Sequence, residues 1–284
     1  MRGKMMIKSI KMQLAYMLRS KSAVIIFFIL MVAVGENFYT NINRNYKTIY
    51  VTQMFDLVKM LTLSEWTKVG YFFMHYYPIL VVIPTAFVYL SDKRSGMDIY
   101  MIGKVGKKNY LFGKMISVFL ITFIVFTIPF ITELVLSMIC FDVRSVGDPS
   151  NFEYFQTIVD DGNYFLSSIY LHNRILYAVI LILLFGIISA ILAVFNFAIN
   201  VLFDFRYRIA TIWSAYVLLY LIKIISKFIK PKYTLYYVDI LKFFDDHAIR
   251  NYFVYTIIIA MVLFISVVII GFKTCKRDFD ILNG

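Results

Sequence analysis

The chain has 284 residues, of which 61% are hydrophobic and 16% charged. Ordinary soluble domains are about 45–50% apolar and about 25% charged, so a soluble globule and a disordered chain are both excluded and an integral membrane protein is indicated. The formal net charge of +12 would point to nucleic acid in a soluble protein; in a membrane protein the question is which side of the bilayer carries it.

In chain order, residues 4–21 read as an amphipathic helix. Ile7, Ile10, Leu14, Met17 and Leu18 recur at spacings of three and four, and Lys4, Lys8, Lys11 and Arg19 fall on the other side. Such a helix lies in the membrane plane with its cations toward anionic headgroups. A merely basic lead-in to the first span is the plainer alternative. The first span is expected at 22–39. It contains Ala33-Val34-Gly35, which also looks like a small-residue signal cleavage site, although the basic stretch before it is long and has structure of its own. Residues 40–70 form a first outer segment. It is polar, then mildly apolar at Val51, Met54, Phe55, Val58 and Leu61, with room for a short outer helix.

A hydrocarbon core about 30 Å thick takes about 20 mostly apolar helical residues to cross. The second span, 71–90, is uncharged, and Pro78 and Pro84 permit kinks in it. Residues 91–114 then form the longest segment between spans on that side. Within it, 97–102 is short and amphipathic, bounded by Gly96 and Gly103, and a basic turn with Lys107 and Lys108 follows. The third span, 115–141, holds Pro129 and a single charge, Glu133, two-thirds of the way to the outer face. A carboxylate at that depth faces a partner or a cavity, or else reaches the interface.

Residues 142–173 are an acidic outer segment with a turn signal at Gly147-Asp148-Pro149. The fourth span is 175–203. Asn196 and Asn200 are four apart and share a face of it; with Glu133 they are candidates for lining a cavity, and interhelical hydrogen bonding accounts for them equally well. Gly186, Ser189, Ala190 and Ala193 make a close-packing face on the same span. A very short inner loop, 204–208, leads into the fifth span, 209–229. Lys223, Lys227, Lys230 and Lys232 cluster at its outer end, where they snorkel to the interface or line a water-filled vestibule. Residues 230–250 are rich in aromatic and apolar side chains, among them Tyr233, Tyr236, Tyr237, Phe243 and Phe244, and fit a re-entrant or interfacial helix covered by protein. The sixth span is 252–272.

Backbone groups in lipid must be satisfied internally, so each span is helical. The expected fold is an all-α integral membrane protein. It has six transmembrane helices preceded by an interfacial helix, in a single transmembrane domain. Six spans place both termini on one side. Segments 1–21, 91–114, 204–208 and 273–284 hold 17 basic and 5 acidic residues, whereas the rest of the chain holds 12 of each. The whole excess charge thus lies on one face, which the positive-inside rule assigns to the cytoplasm. A nucleic-acid partner is no longer needed to explain it.

Catalytic apparatus is not visible. There is no His-Glu-x-x-His motif, no Gly-x-Ser-x-Gly elbow and no phosphate-binding loop: Gly103-Lys104 is followed by Val105, and Gly96 is too far back. His75, His172 and His247 read as interfacial or loop histidines, and Asp245-Asp246-His247 as a solvated cluster, so no metal site is expected. Cys140 and Cys275 fall on opposite faces and cannot pair. The chain itself is expected to need no cofactor and to be no enzyme.

The segment 91–114 resembles the equivalent loop in permease subunits of ABC-2 type transporters. The shared features are Asp92, Lys93 and Arg94 closing span two, then Gly96, a short helix, Gly-Lys-Lys-x-Tyr from Gly106 to Tyr110, and Lys114 opening span three. The six spans, the interfacial helix, the short 204–208 loop and the apolar segment before span six also fit that family.

The resemblance implies a non-catalytic permease at a bacterial plasma membrane. It implies pairing with a second permease chain, identical or homologous, above two cytoplasmic ATP-binding cassette subunits that hold ATP and Mg. The coupling element would be Gly96, Met97, Asp98, Ile99, Tyr100, Met101, Lys104, Lys107, Lys108 and Tyr110. A second cytoplasmic contact would use Asp204, Arg206 and Arg208. The family includes exporters of peptides and self-immunity systems, so the cargo would be apolar or amphipathic: a peptide, including antimicrobial peptide, a lipid or a drug. A membrane scaffold or sensor without transport is the alternative.

Overall fold

The computed structural model describes residues 2–45, 55–64, 67–143, 165–203, 205–229, 235, 237 and 246–275. Among these, every regular element is a helix: α1 (Arg2–Leu18), α2 (Lys21–Asn45), α3 (Lys68–Leu80), α4 (Ile83–Ala86), α5 (Val88–Ser95), α6 (Met97–Val105), α7 (Lys107–Cys140), α8 (Ser167–His172), α9 (Arg174–Phe203), α10 (Trp213–Ile229) and α11 (Asp246–Cys275). Asp204, Lys230, Lys232, the turn at 147–149 and most of 230–245 lie outside the described residues.

Local chemistry sets the joints. Ser20 separates α1 from α2, and its Oγ accepts the Ala23 N–H at 3.3 Å, an N-cap of α2. Thr67 caps α3 in the same way, accepting from the Gly70 N–H at 3.1 Å. The second span is broken into α3, α4 and α5. Pro84, in the first turn of α4, has no N–H to continue the ladder, so α3 closes at Leu80 and the helix restarts. Pro129 is absorbed inside α7, which stays continuous for 34 residues.

Among the described residues, five segments are long and apolar enough to cross a membrane: Lys21–Asn43, Lys68–Ser95, Lys107–Cys140, Arg174–Phe203 and Tyr252–Cys275. The protein is a multi-pass helical membrane protein. The expected fifth span is shorter than the others. A 3-10 turn at Ile209–Thr211 takes its start, leaving 17 helical residues in α10. α10 begins at the end of the bundle where α9 finishes. Its first turn is tied to the last third of α9 through Ser214 and Asn196. Tyr252, at the start of α11, meets Phe165, just before α8, with ring centroids 6.1 Å apart at the far end.

The core lies between α7 and α9. Phe73, Tyr77, Phe126, Phe130 and Phe185 form one aromatic cluster with centroid spacings of 5.3–6.1 Å. The close-packing face of α9 is real: Gly186, Ser189, Ala190 and Ala193 are all buried. A Cβ on Gly186 would stand 2.1 Å from Thr127 Oγ1 of α7. The Ser189 hydroxyl hydrogen-bonds Tyr77 at 2.9 Å.

α1 meets the rest of the protein along a partly polar stripe. The buried stripe of α1 is Ser9, Gln13 and Met17, while Ile7 and Leu18 stay exposed. The reason is polar: Ser9 Oγ donates to Asn109 O at 3.2 Å, and Gln13 Nε2 donates to Tyr110 O at 3.1 Å. The start of α7 thereby offers α1 acceptors, and the freed apolar residues remain for lipid. Residues 55–64 form turns and are buried throughout; 46–54, where the outer segment also had room for a short helix, lie outside the described residues.

Candidate functional site

The end of the bundle where α2 and α7 begin and α5 and α9 finish carries α1 and α6, and is the basic end. Here Gly96 and Gly106 bracket α6 with backbone φ of 68° and 83°. Gly96 is left-handed and ends α5, its N–H donating to Lys93 O at 3.2 Å. Gly106, at ψ 147°, occupies a region open in practice only to glycine. The helix therefore closes at Gly106, and Gly103 lies inside it, against the expected stop. Asp98 in its first turn and Lys104 in its last complement the helix dipole.

One face of α6 is anchored and the other is free. Met101 and Val105 are buried, one turn apart. Met97, Ile99 and Tyr100 are exposed, Ile99 at 65% and Tyr100 at 60%. Lys104 Nζ lies 5.5 Å from the Tyr100 ring centroid, and Lys107 and Lys108 extend the basic rim.

Beneath α6 sits a dry polar clamp. Lys114 is 1% exposed. Its amine bonds Asp92 Oδ2 and donates to Val88 O at 3.3 Å and Tyr110 Oη at 3.2 Å. The Tyr110 hydroxyl donates to the same Asp92 oxygen at 2.7 Å. The last turn of α5 is thus joined to the first two turns of α7, and α6 cannot swing without moving both. The second inner loop is drawn to the same place. Arg94 donates from its guanidinium to Arg206 O at 2.8 Å, and Arg206 and Arg208 are exposed.

The three candidates for lining a cavity are bonded within the chain. Asn196 accepts from Ser214. Asn200 Nδ2 donates to Ala86 O at 3.4 Å and Thr211 O at 3.3 Å. Both tie α9 to its neighbours near the basic end, the bonding alternative raised by their spacing. Glu133 is 1% exposed and lies under the 55–64 segment at the opposite end. Its Oε1 accepts from Asn37 Nδ2 at 2.7 Å, Thr62 N at 2.9 Å and Thr62 Oγ1 at 2.7 Å. Asn37 and Asn41 on α2 both donate to Met60 O, at 2.8 and 2.7 Å.

These bonds explain why non-helical backbone can sit buried in the bundle: its polar groups find partners on α2 and α7. A further anchor is Asp56, which accepts from Tyr170 Oη at 2.6 Å and from Val58 N at 2.8 Å and pairs with Arg174 at 3.0 Å. Burial pushes the Asp56 carboxyl above its ordinary value of 3.8; Arg174, Tyr170 and the Val58 and Lys59 N–H groups offset part of that rise. The segment is a plug held by two carboxylates.

The chain matches no protein-family model, no curated protein and no solved structure at a significant level. The functional reading rests on geometry. Sequence reasoning passed over Asn37, Asn41, Asp56 and Thr62. Asn37 and Asn41 stand four apart at the end of an apolar span, the same signal that marked Asn196 and Asn200. Asp56 and Thr62 carried no such signal, because their roles depend on a chain path without a period.

Proposed function

We propose that this membrane protein is the permease subunit of an ATP-driven ABC exporter in a bacterial plasma membrane. It pairs with a second permease chain, and separate cytoplasmic ATP-binding cassette subunits hold ATP and Mg and supply the energy. The observation that carries this reading is α6: a short helix between two glycine turns, apolar on its free face, basic at its rim and clamped from below by Asp92, Lys114 and Tyr110. Such a piece suits docking into a groove of a partner and passing displacement to α5 and α7. Arg206 and Arg208 stand beside it as the second contact.

The far end of α7 supports the reading further. Displacement of α6 acts on a helix of 34 residues that carries Glu133, and Glu133 holds the plug. One continuous element therefore links the energy-receiving end to a seal on the other side. Cargo that is apolar or amphipathic, such as a peptide, lipid or drug, suits a bundle rich in Phe and Tyr.

Extraction of the tagged chain from native membranes in mild detergent tests the proposal. A soluble chain with a Gly-x4-Gly-Lys-Ser/Thr motif is expected to co-purify in near-equal amount. It should be lost when Asp98, Ile99 and Tyr100 are changed to Ala. If detergents that keep the protein monodisperse bring down no ATPase, the exporter reading fails and a scaffold or sensor role takes its place.

A further inference from the structure

Beside the clamp, on the lipid-facing side of the basic end, the bundle opens into a groove of about 750 Å³. Its floor is the joint between α1 and α2, and its walls are α4, α5 and the loop before α10. Among the described residues, three cations line it, Arg19, Lys21 and Arg208, and no acidic residue does. None of the three has an ion-pair partner among the described residues. The Arg208 guanidinium is held at the mouth over the Phe87 ring, 6.0 Å from its centroid. Hydroxyls of Ser20, Ser22 and Ser91 stand among the cations; Ser22 donates to Pro84 O at 3.2 Å.

The rest of the lining is Ala15, Tyr16, Ile25, Ile83, Phe87 and Val88, apolar apart from the Tyr16 hydroxyl. Ile25 is one turn into α2 from Lys21, about 6 Å deeper. Ile83 is eight residues before Ser91, across the joint between α4 and α5, and so lies deeper than the rim. Charge at the rim and hydrocarbon further in is the layout of one leaflet of a bilayer. Three exposed cations with no ion-pair partner among the described residues attract an anion, and a small soluble anion would leave the apolar walls uncovered.

We infer that this groove is a binding site for a single anionic phospholipid of the leaflet at the basic end. The phosphate sits among Arg19, Lys21 and Arg208, the Ser20 and Ser91 hydroxyls donate to its oxygens, and the upper acyl chain lies along Ile25, Ile83 and Val88. The lipid bridges α1, the second span and the 205–208 loop, which share few direct bonds there. This differs from diffuse attraction of a basic face to anionic headgroups, because it is one stoichiometric site with an apolar half. It stands whether or not the chain is a transporter.

The test is native mass spectrometry of delipidated protein, titrated with phosphatidylglycerol, with phosphatidylcholine of the same chains, and with soluble glycerophosphate. One tightly held phosphatidylglycerol per chain is expected, with phosphatidylcholine and glycerophosphate binding far more weakly. Changing Arg19, Lys21 and Arg208 to Ala should weaken phosphatidylglycerol about 100-fold, each cation near a lipid surface contributing about a factor of five to ten. Changing Lys8, Lys11 and Lys108 to Ala removes equal charge from the same end and should leave the bound lipid in place. Ile25→Trp keeps every cation and fills the apolar half, so it should also expel the lipid. It keeps the test decisive if the triple groove variant fails to fold. Equal retention of the two lipids, equal losses in the two triple variants, or glycerophosphate bound as tightly as lipid would each overturn the assignment.

Discussion

At Lys114 an ammonium group and three acceptors share one dry site, and removing either half of the Lys114–Asp92 pair strands the other charge. Asp92→Ala is expected to cost about 3–5 kcal/mol of stability. The apolar double replacement Asp92→Leu with Lys114→Met should recover most of that loss. Denaturant unfolding in detergent of the native protein, Asp92→Leu, Lys114→Met and the double variant measures the cycle; additive single effects would show that the pair is no clamp.

Asp56 gives a prediction of the opposite kind. Its folded-state value is raised, so the folded chain holds the proton more firmly than the unfolded chain does. The stabilisation is complete below the ordinary value of 3.8 and is lost as pH rises through the raised value. Melting temperature should therefore fall with rising pH over that window in the native protein, and the slope should flatten in Asp56→Asn.

Among the elements, the plug and α6 each hang on glycines, for different reasons. A Cβ on Gly70 would stand 2.1 Å from Thr62 O and 2.8 Å from Ser64 O, both backbone atoms of the plug that cannot rotate away. Gly70→Ala should destabilise by about 1–3 kcal/mol and loosen the plug, while Gly35→Ala, with nothing within 4 Å, should do neither. Limited proteolysis within 55–64 reads the difference. At Gly106 there is open space, and the constraint is conformational: φ 83° with ψ 147° should make Gly106→Ala cost about 1–3 kcal/mol. Cleavage by protease between α6 and α7 should rise with it.

The long apolar helices, the break near Pro84 and the close-packing face of α9 were legible in the sequence because each rests on a local rule. The buried stripe of α1 was not. Ser9 and Gln13 look like a polar face until Asn109 and Tyr110, about 100 residues later, present their carbonyls. The plug was hidden for a similar reason. Its turns are closed by local bonds such as Leu61 N–H to Val58 O and Ser64 N–H to Leu61 O, but Met60 O and Thr62 N are satisfied by Asn37, Asn41 and Glu133, and those long-range bonds leave no period to read.

For the molecule as a whole, the unresolved step between five long spans and six crossings falls on α10. Seventeen helical residues rise about 26 Å, and the 3-10 turn before them adds about 6 Å, so together they match a hydrocarbon core of about 30 Å. The two native cysteines decide the matter without mutation, because both are exposed and they end α7 and α11. If α10 crosses, Cys140 and Cys275 face opposite sides; if it does not, α11 runs the other way and they share a side. The excess of cations at the basic end adds which side is which. An impermeant maleimide applied to intact cells should therefore modify Cys140 alone, with Cys275 reacting only after permeabilisation. Modification of both in intact cells would remove α10 from the spans. Modification of Cys275 alone would keep six crossings and turn the protein over, placing α6 and its apolar face outside the cell, where no ATPase could reach it.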